Sequence, residues 1–426
     1  MRKLIVLFLL FVRISACCAQ QADSLVLNYF STDRWQDLRR LYEQKSDSMS
    51  KESKELSIAM LHTAFDTPTS ALKPLKKLLK HSVEVDADTR AYLAFSQADC
   101  LHRMKENHKA AKLLKQYLSK NRSEISEKVI LNYTEMANFY EDQANEGEVT
   151  LEATDIPKIS FLLEDVGFDE YRSKVVIVNG SIDGKSVRFL IDSGSSNNVL
   201  SRELVDKLHL PISANSISIE GSGTSSSKYT FTKEVKLGNI HLKHLPFIIS
   251  DLEQSSVDKH SNIAQFDAII GLQLFQLLGK TIFDFDKKVI TTDYQDDGIS
   301  IPNLSYSNTH NMIFLEYEHK GYKLSAIPDM GAQTSILGDS YRRNIPKSSL
   351  AKELELSYIG YGSEVKETKA LQLPYFELEV SGVRSKIPGV LAYQEERFQD
   401  LLGMDYFSRF HKVIFNLKNM TLRVVP

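Results

Sequence analysis

Two aspartates set the chemistry open to this chain: Asp192 in VRFLIDSGSSNNVL (Val187 to Leu200) and Asp329 in YKLSAIPDMGAQTSIL (Tyr322 to Leu337). Each follows an apolar run of strand composition and precedes a glycine and a polar turn, which puts a carboxyl group where a buried strand ends. An acid among apolar neighbours must be hydrogen-bonded, paired or protonated. If the two acids meet, close like charges cannot both ionise and the pair shares one proton. Such a pair offers a base to activate a water and an acid to polarise a carbonyl, which is what amide hydrolysis without a covalent intermediate requires. D-x-G alone is a weak signal, since Asp296-Asp297-Gly298 also fits it in an acidic stretch that reads as a plain turn.

The elements that must position the acids are duplicated. Val175 to Ile182, a turn at Asp183-Gly184 and Lys185 to Ile191 read as one hairpin; Met312 to Glu318, a turn at Lys320-Gly321 and Tyr322 to Ile327 read as another. The turn glycine precedes the acid by eight residues in both copies. Each copy closes on an apolar pair and a glycine, Ile269-Ile270-Gly271 and Leu401-Leu402-Gly403, 79 and 74 residues after its acid. Beyond the glycines the copies stay in step, IFDFDKKVITT against IFNLKNMTLRV. This is a tandem duplication of one all-β unit, each half bringing one carboxylate.

At these residues the chain resembles the aspartic proteases. The D-S-G-S-S of Asp192 to Ser196 is similar to the pepsin motif, while the short units, D-x-G-A at Asp329 to Ala332 and the closing glycines are closer to retropepsins. The resemblance implies a bilobal all-β fold in one chain, with Asp192 and Asp329 as catalytic acids, a peptide or protein substrate, and no metal or cofactor. In those families a Ser or Thr between acid and glycine ties the two loops together. Ser193 can do this, whereas the thioether of Met330 is at best a weak acceptor. Gly194 and Gly331 let the loops turn sharply and approach. Pro328 removes a backbone donor before Asp329, and Ala332 replaces the hydroxyl that Ser195 offers beside Asp192. The expectation is that Ser195 donates to Asp192 and favours its ionised form, leaving Asp329 protonated.

EGSGTSSSKYTF, Glu220 to Phe231, reads as a flap over a bound peptide: Gly221 and Gly223 mark a mobile hairpin tip and Tyr229 an aromatic hydrogen-bonding edge. Ile359 to Thr368 is its counterpart in the second lobe. His241 and His244, three apart in a strand-like run, face opposite ways and make no metal pair.

Residues 1–19 read as an export signal, with Arg2 and Lys3 before an apolar Leu4 to Val12 too short to span a membrane. Ile14-Ser15-Ala16-Cys17 also resembles a bacterial lipobox, which would lipidate Cys17; cleavage after Ala19 is the other reading, and Arg13 is unusual for both. The expected location is the periplasm or cell surface, lipid-anchored in the first case. Apart from Cys17 and Cys18 the only cysteine is Cys100, which excludes a disulfide framework. With 25% charged residues, a net charge of −3 and no basic stripe in the sequence, neither disorder nor nucleic-acid binding is favoured.

The fold class is multidomain: an all-α helical-hairpin array followed by the all-β bilobal region. Residues 22–145 carry apolar residues at helical spacing. Ala59, Ala71, Leu75 and Leu78 recur 39 residues later as Ala98, Ala110, Leu114 and Tyr117, a pattern similar to tetratricopeptide repeats with a longer period, and one that would present a surface to a protein partner. Trp35 and Cys100 read as core. Residues 146–170 read as a linker, 171–292 as the first lobe, 293–311 as an interlobe linker and 312–426 as the second lobe.

Overall fold

Asp183 and Gly184 both take positive φ, +48° and +81°, and so do Lys320 and Gly321, +49° and +83°. These are the paired left-handed residues of a type I′ turn, whose twist matches that of the strands it joins. They close the hairpins Ser173–Ile182 with Lys185–Ile191 and Met312–His319 with Tyr322–Pro328. The expected duplication therefore holds at the level of backbone conformation. In this computed structural model the described residues are 21–80, 85–166, 173–220, 224–250, 265–293, 295, 301–345, 352–358, 366–393 and 399–426. The export signal with Cys17, the flap glycines Gly221 and Gly223, and residues 359–365 lie outside them.

The chain forms two compact units. The first holds the helices Trp35–Lys45, Lys51–Ala64, Pro68–Lys80, Ala87–Arg103 and Asn107–Asn121, and the last helix, Glu127–Glu146, through Tyr140. Ser50 and Asp86 cap two of them by accepting the N–H of Ser53 and Thr89. From Trp35–Lys45 through Asn107–Asn121 successive helices pack on one another, as the apolar periodicity requires, and Ala59, Ala71, Ala98 and Ala110 are fully buried. Small residues there let helix backbones approach closely. Trp35 and Cys100 are core residues. Of the repeat, only Tyr117 departs: it is partly exposed while neighbouring Leu118 is buried.

Two stretches expected to be linkers are built into the fold. Within 146–170, Thr150–Ala153 pairs with Ile240–Lys243 and Lys158–Ser160 with Val289–Thr291. Such short strands carry too few residues to show a period of two in sequence. Within 293–311, Ser305–Thr309 belongs to the helical unit. There Asn308 bonds Ser96 and Tyr92, Ser307 bonds Asp33, and the Arg103 guanidinium lies 4.6 Å over the Tyr306 ring while pairing with buried Asp99. A polar segment tied down by side-chain hydrogen bonds looks like a linker in sequence.

The second unit is the β region. Each lobe has a large sheet, and a separate five-stranded sheet joins the lobes. In that sheet Lys280–Asp284 runs antiparallel to Lys412–Asn416 with Ile282 opposite Ile414. Both isoleucines stand eleven residues after their closing glycines, so matching positions of the duplicated unit meet across an approximate two-fold axis. An isologous contact of this kind places equivalent points of both lobes, including the two acids, symmetrically about the same axis.

Candidate active site

Strand pairing carries each acid to an equivalent place. Lys185–Ile191 pairs in parallel with the closing strand, Ile191 opposite Ile270; Tyr322–Pro328 does the same, Pro328 opposite Leu402. The next backbone donors continue the match: Asp192 N–H reaches Ile270 O at 3.0 Å and Asp329 N–H reaches Leu402 O at 2.8 Å. The chain leaving each acid turns back so that Val199–Ser201 and Ile336–Leu337 lie on the other side of that closing strand. Each closing strand is thereby held between the strands before and after its acid. Pro328, which lacks a donor, sits where its carbonyl rather than its nitrogen is used.

The two acid loops meet. A Cβ built on Gly194 would lie 2.3 Å from Asp329 Cγ, and one on Gly331 would lie 2.3 Å from Asp192 Cγ. Each loop is packed against the other's carboxyl group as closely as a residue without a side chain permits. The interlock between them is one-sided. Ser193 is buried, donates its hydroxyl hydrogen to Pro328 O at 2.6 Å and accepts the Met330 N–H at 3.0 Å. Met330, with no hydroxyl to return the bond, is buried as an apolar side chain.

The carboxyl groups share a hydrogen bond. Burial raises both above the ordinary carboxylate range, and Asp192 is pushed further by the charge of Asp329 beside it. Asp329 Oδ1 accepts two backbone N–H groups, from Gly331 at 2.8 Å and Ala332 at 2.9 Å. Asp192 Oδ1 accepts the Gly194 N–H at 2.9 Å, while the Ser195 N–H reaches the Asp192 carbonyl at 3.3 Å. Burial acts on both acids and the charge of Asp329 adds to it at Asp192, which biases the pair's shared proton toward Asp192. The expected donation from Ser195 is not made: its hydroxyl goes to Asn197 O at 2.8 Å instead of to Asp192. Both acids keep part of their surface open to solvent.

A second layer of supports did not stand out in the sequence. Six residues after the acids, Asn198 accepts the Gly271 N–H and Ser335 accepts the Gly403 N–H, both at 3.0 Å. Asn198 in turn bonds Gln273 at 2.8 Å and Ser335 bonds Asp405 at 2.6 Å, each partner standing two residues past its closing glycine. The signal was a polar residue at matching positions in both copies, which means something only once the copies are superposed in space. Asp400 is a third support, in the second lobe. It is buried, accepts from Tyr317 Oη at 2.8 Å and from the N–H groups of Gly338 and Tyr341, and burial pushes its carboxyl up to about 6.

The hairpins expected as flaps are present as paired strands, Ile217–Glu220 with Thr224–Ser227 and Lys352–Tyr358 with Lys366–Gln372. Tyr229 is not on that hairpin. It lies fully buried in the next strand, Tyr229–Phe231, and its hydroxyl donates to Asp142 at 2.7 Å, where Ser213 and Asn215 also donate. Alternation in KYTF left the direction of this tyrosine open; the acceptor lies 87 residues away in sequence. His241 binds Glu234 at 3.0 Å, a surface pair.

Two β lobes that each deliver one acid to a shared site follow the helical region. Residues 178–274, the first lobe from its leading hairpin through Asp192 to the helix after Gly271, match the family model described as Aspartyl protease. No curated protein matches the chain.

Proposed function

We propose that the chain is an aspartic endopeptidase in which Asp192 and Asp329 activate one water against a peptide carbonyl. The observation that carries this reading is the reciprocal packing of Gly194 on Asp329 and Gly331 on Asp192. It brings two carboxyl groups into one hydrogen-bonded, solvent-reached pair, an arrangement that burial penalises and that packing alone would not favour. In the resting state Asp329, held by two N–H donors, is the base that takes a proton from the water. Protonated Asp192 polarises the carbonyl oxygen and gives up its proton as the tetrahedral diol forms. Proton return to the amine nitrogen then breaks the C–N bond. The paired hairpins 217–227 and 352–372 are the elements we assign to covering the substrate.

The same proposal takes residues 1–19 as an export signal, with Cys17 as the lipid-bearing residue if the lipobox is used, and places the enzyme at the periplasm or cell surface. The helical array, of tetratricopeptide type in this reading, recruits a protein partner or substrate.

The test is cleavage of a mixed peptide library by the mature chain across acidic to neutral pH, with and without pepstatin. Cleavage that pepstatin blocks and that both Asp192→Asn and Asp329→Asn abolish is the expected result. Silence at every pH from folded protein would transfer the site to peptide binding without turnover, the reading that Met330 and the one-sided interlock favour.

A further inference from the structure

The 39-residue repeat extends to charge. Lys73 and Lys76 of helix Pro68–Lys80 recur as Lys112 and Lys115 of helix Asn107–Asn121. Each of these helices carries four lysines and no aspartate or glutamate, whereas the other helices named in the helical unit all bear acids. Helices without acids forgo the i, i+4 pairs that usually neutralise surface lysines. Among the described residues, Lys77 pairs with Glu55 and Lys109 with Glu106, while Lys73, Lys76, Lys112 and Lys120 are exposed and form no ion pair.

A groove of about 490 Å³ lies among the same helices. Leu79, Leu101 and Leu113 give it an apolar floor, Lys109, Lys112 and Lys120 stand at its edge, and no acid is among the described residues that line it. That volume is in the range of specific ligand sites of about 300–1,000 Å³. The apolar floor and the two lysines at the edge that form no ion pair, Lys112 and Lys120, together call for a ligand that is apolar at its centre and anionic around it.

We propose that this face of the helical unit docks an acidic peptide segment of another protein, with leucine-like side chains in the groove and carboxylates on Lys112 and Lys120. A purely anionic polymer would leave the leucines uncovered, and a purely apolar segment would strand the lysines. The proposal stands apart from the aspartate pair and holds whether or not the chain cleaves peptides.

The experiment is fluorescence anisotropy on the whole mature chain, with a short labelled peptide of glutamates around two leucines and its intactness checked by mass spectrometry. Saturable binding is expected, weakened roughly tenfold or more in the Lys112→Glu, Lys120→Glu double variant and by raising salt from about 0.05 M to about 0.5 M. Replacing the peptide's leucines by serine, or Leu113→Ser in the protein, should weaken it several-fold. Charge reversal at two exposed lysines leaves the fold intact, which the melting curve verifies. Equal binding of a peptide with lysine in place of glutamate, binding indifferent to the double variant, or no saturation by about 1 mM peptide would overturn the proposal. So would tighter lysine-dependent binding to phosphatidylglycerol vesicles or to single-stranded DNA than to the peptide.

Discussion

Ser193 and Met330 occupy the same position of the duplicated unit, yet a single hydroxyl serves both loops: Ser193 Oγ accepts the Met330 N–H at 3.0 Å and donates to Pro328 O at 2.6 Å. The two-fold relation of the lobes is broken at the point where they touch. Apart from the bond between the two carboxyl groups, the polar ties between the acid loops among the described residues rest on Ser193.

Ser193→Ala should accordingly be the costliest conservative change in the site outside the acids. It strands a buried N–H and a buried carbonyl, at about 1–3 kcal/mol for each group left unsatisfied, and loosens the placement of Asp329. We expect a fall in Tm and a drop in kcat larger than the change in KM, with Ser193→Thr close to wild type. Met330→Leu, a swap of similar volume in an apolar site, should cost less than about 1.5 kcal/mol. Equal losses for Ser193→Ala and Met330→Leu in thermal melts would remove the asymmetry from the account.

Glycines 194 and 321 separate close approach from backbone freedom. Gly321 has φ +83° with nothing within 4 Å of a built Cβ, so Gly321→Ala meets only left-handed strain of about 1–2 kcal/mol. Gly194→Ala drives a methyl into the Asp329 carboxyl. A displacement of order 1 Å at reacting groups can cost about a hundredfold in rate, so Gly194→Ala should lose activity at least that far while Gly321→Ala keeps it. Peptidase assays on both variants, normalised to folded protein, check this; comparable activities would mean that the loops are not held in contact.

How much of this was legible depended on how local the signal was. The I′ turns at Gly184 and Gly321, the acids eight residues on and the closing glycines follow from residue type and spacing, because turn chemistry and strand alternation act over a few residues. Ser193 and Met330 could be assigned opposite capacities from their side chains alone. The Ser195 hydroxyl could not be placed, since Asn197 O and the Asp192 carboxyl are both within two or three residues and only the turn's path chooses. Asn198 with Gln273, Ser335 with Asp405, and Tyr229 with Asp142 are pairs some 70 to 87 residues apart. The strands at Thr150 and Lys158 are short edges whose stability comes from partners far along the chain.

The aspartate pair should make the fold more stable in acid. Burial raises both folded values above the unfolded carboxylate range, so the folded state binds protons more tightly; the pair's contribution is fully present below about pH 4 and is lost as pH rises through the folded values. Asp192→Asn removes like-charge repulsion, and the variant should melt higher than wild type at neutral pH, the gap closing toward about pH 4. Activity should show a bell-shaped pH profile that belongs to the pair and not to either acid. A wild type that outlasts Asp192→Asn at neutral pH would contradict the raised values.

Asp400 gives a second, separable pH effect in the second lobe. Its carboxyl is pushed up to about 6, again above the unfolded value, so the stability it lends is present below about pH 4 and lost between about pH 4 and pH 6. A shift of this size corresponds to at most about 3 kcal/mol. Asp400→Asn keeps acceptors for Gly338 and Tyr341 without the charge, so its melting temperature should vary less with pH across that window than wild type and should equal or exceed it at neutral pH. Tyr317→Phe removes a donor that favours the ionised form and should lower stability chiefly above about pH 6, where the carboxylate must stand with one partner fewer. Melting curves of the three proteins at several pH values decide it: parallel curves for wild type and Asp400→Asn would mean that Asp400 does not titrate in this range.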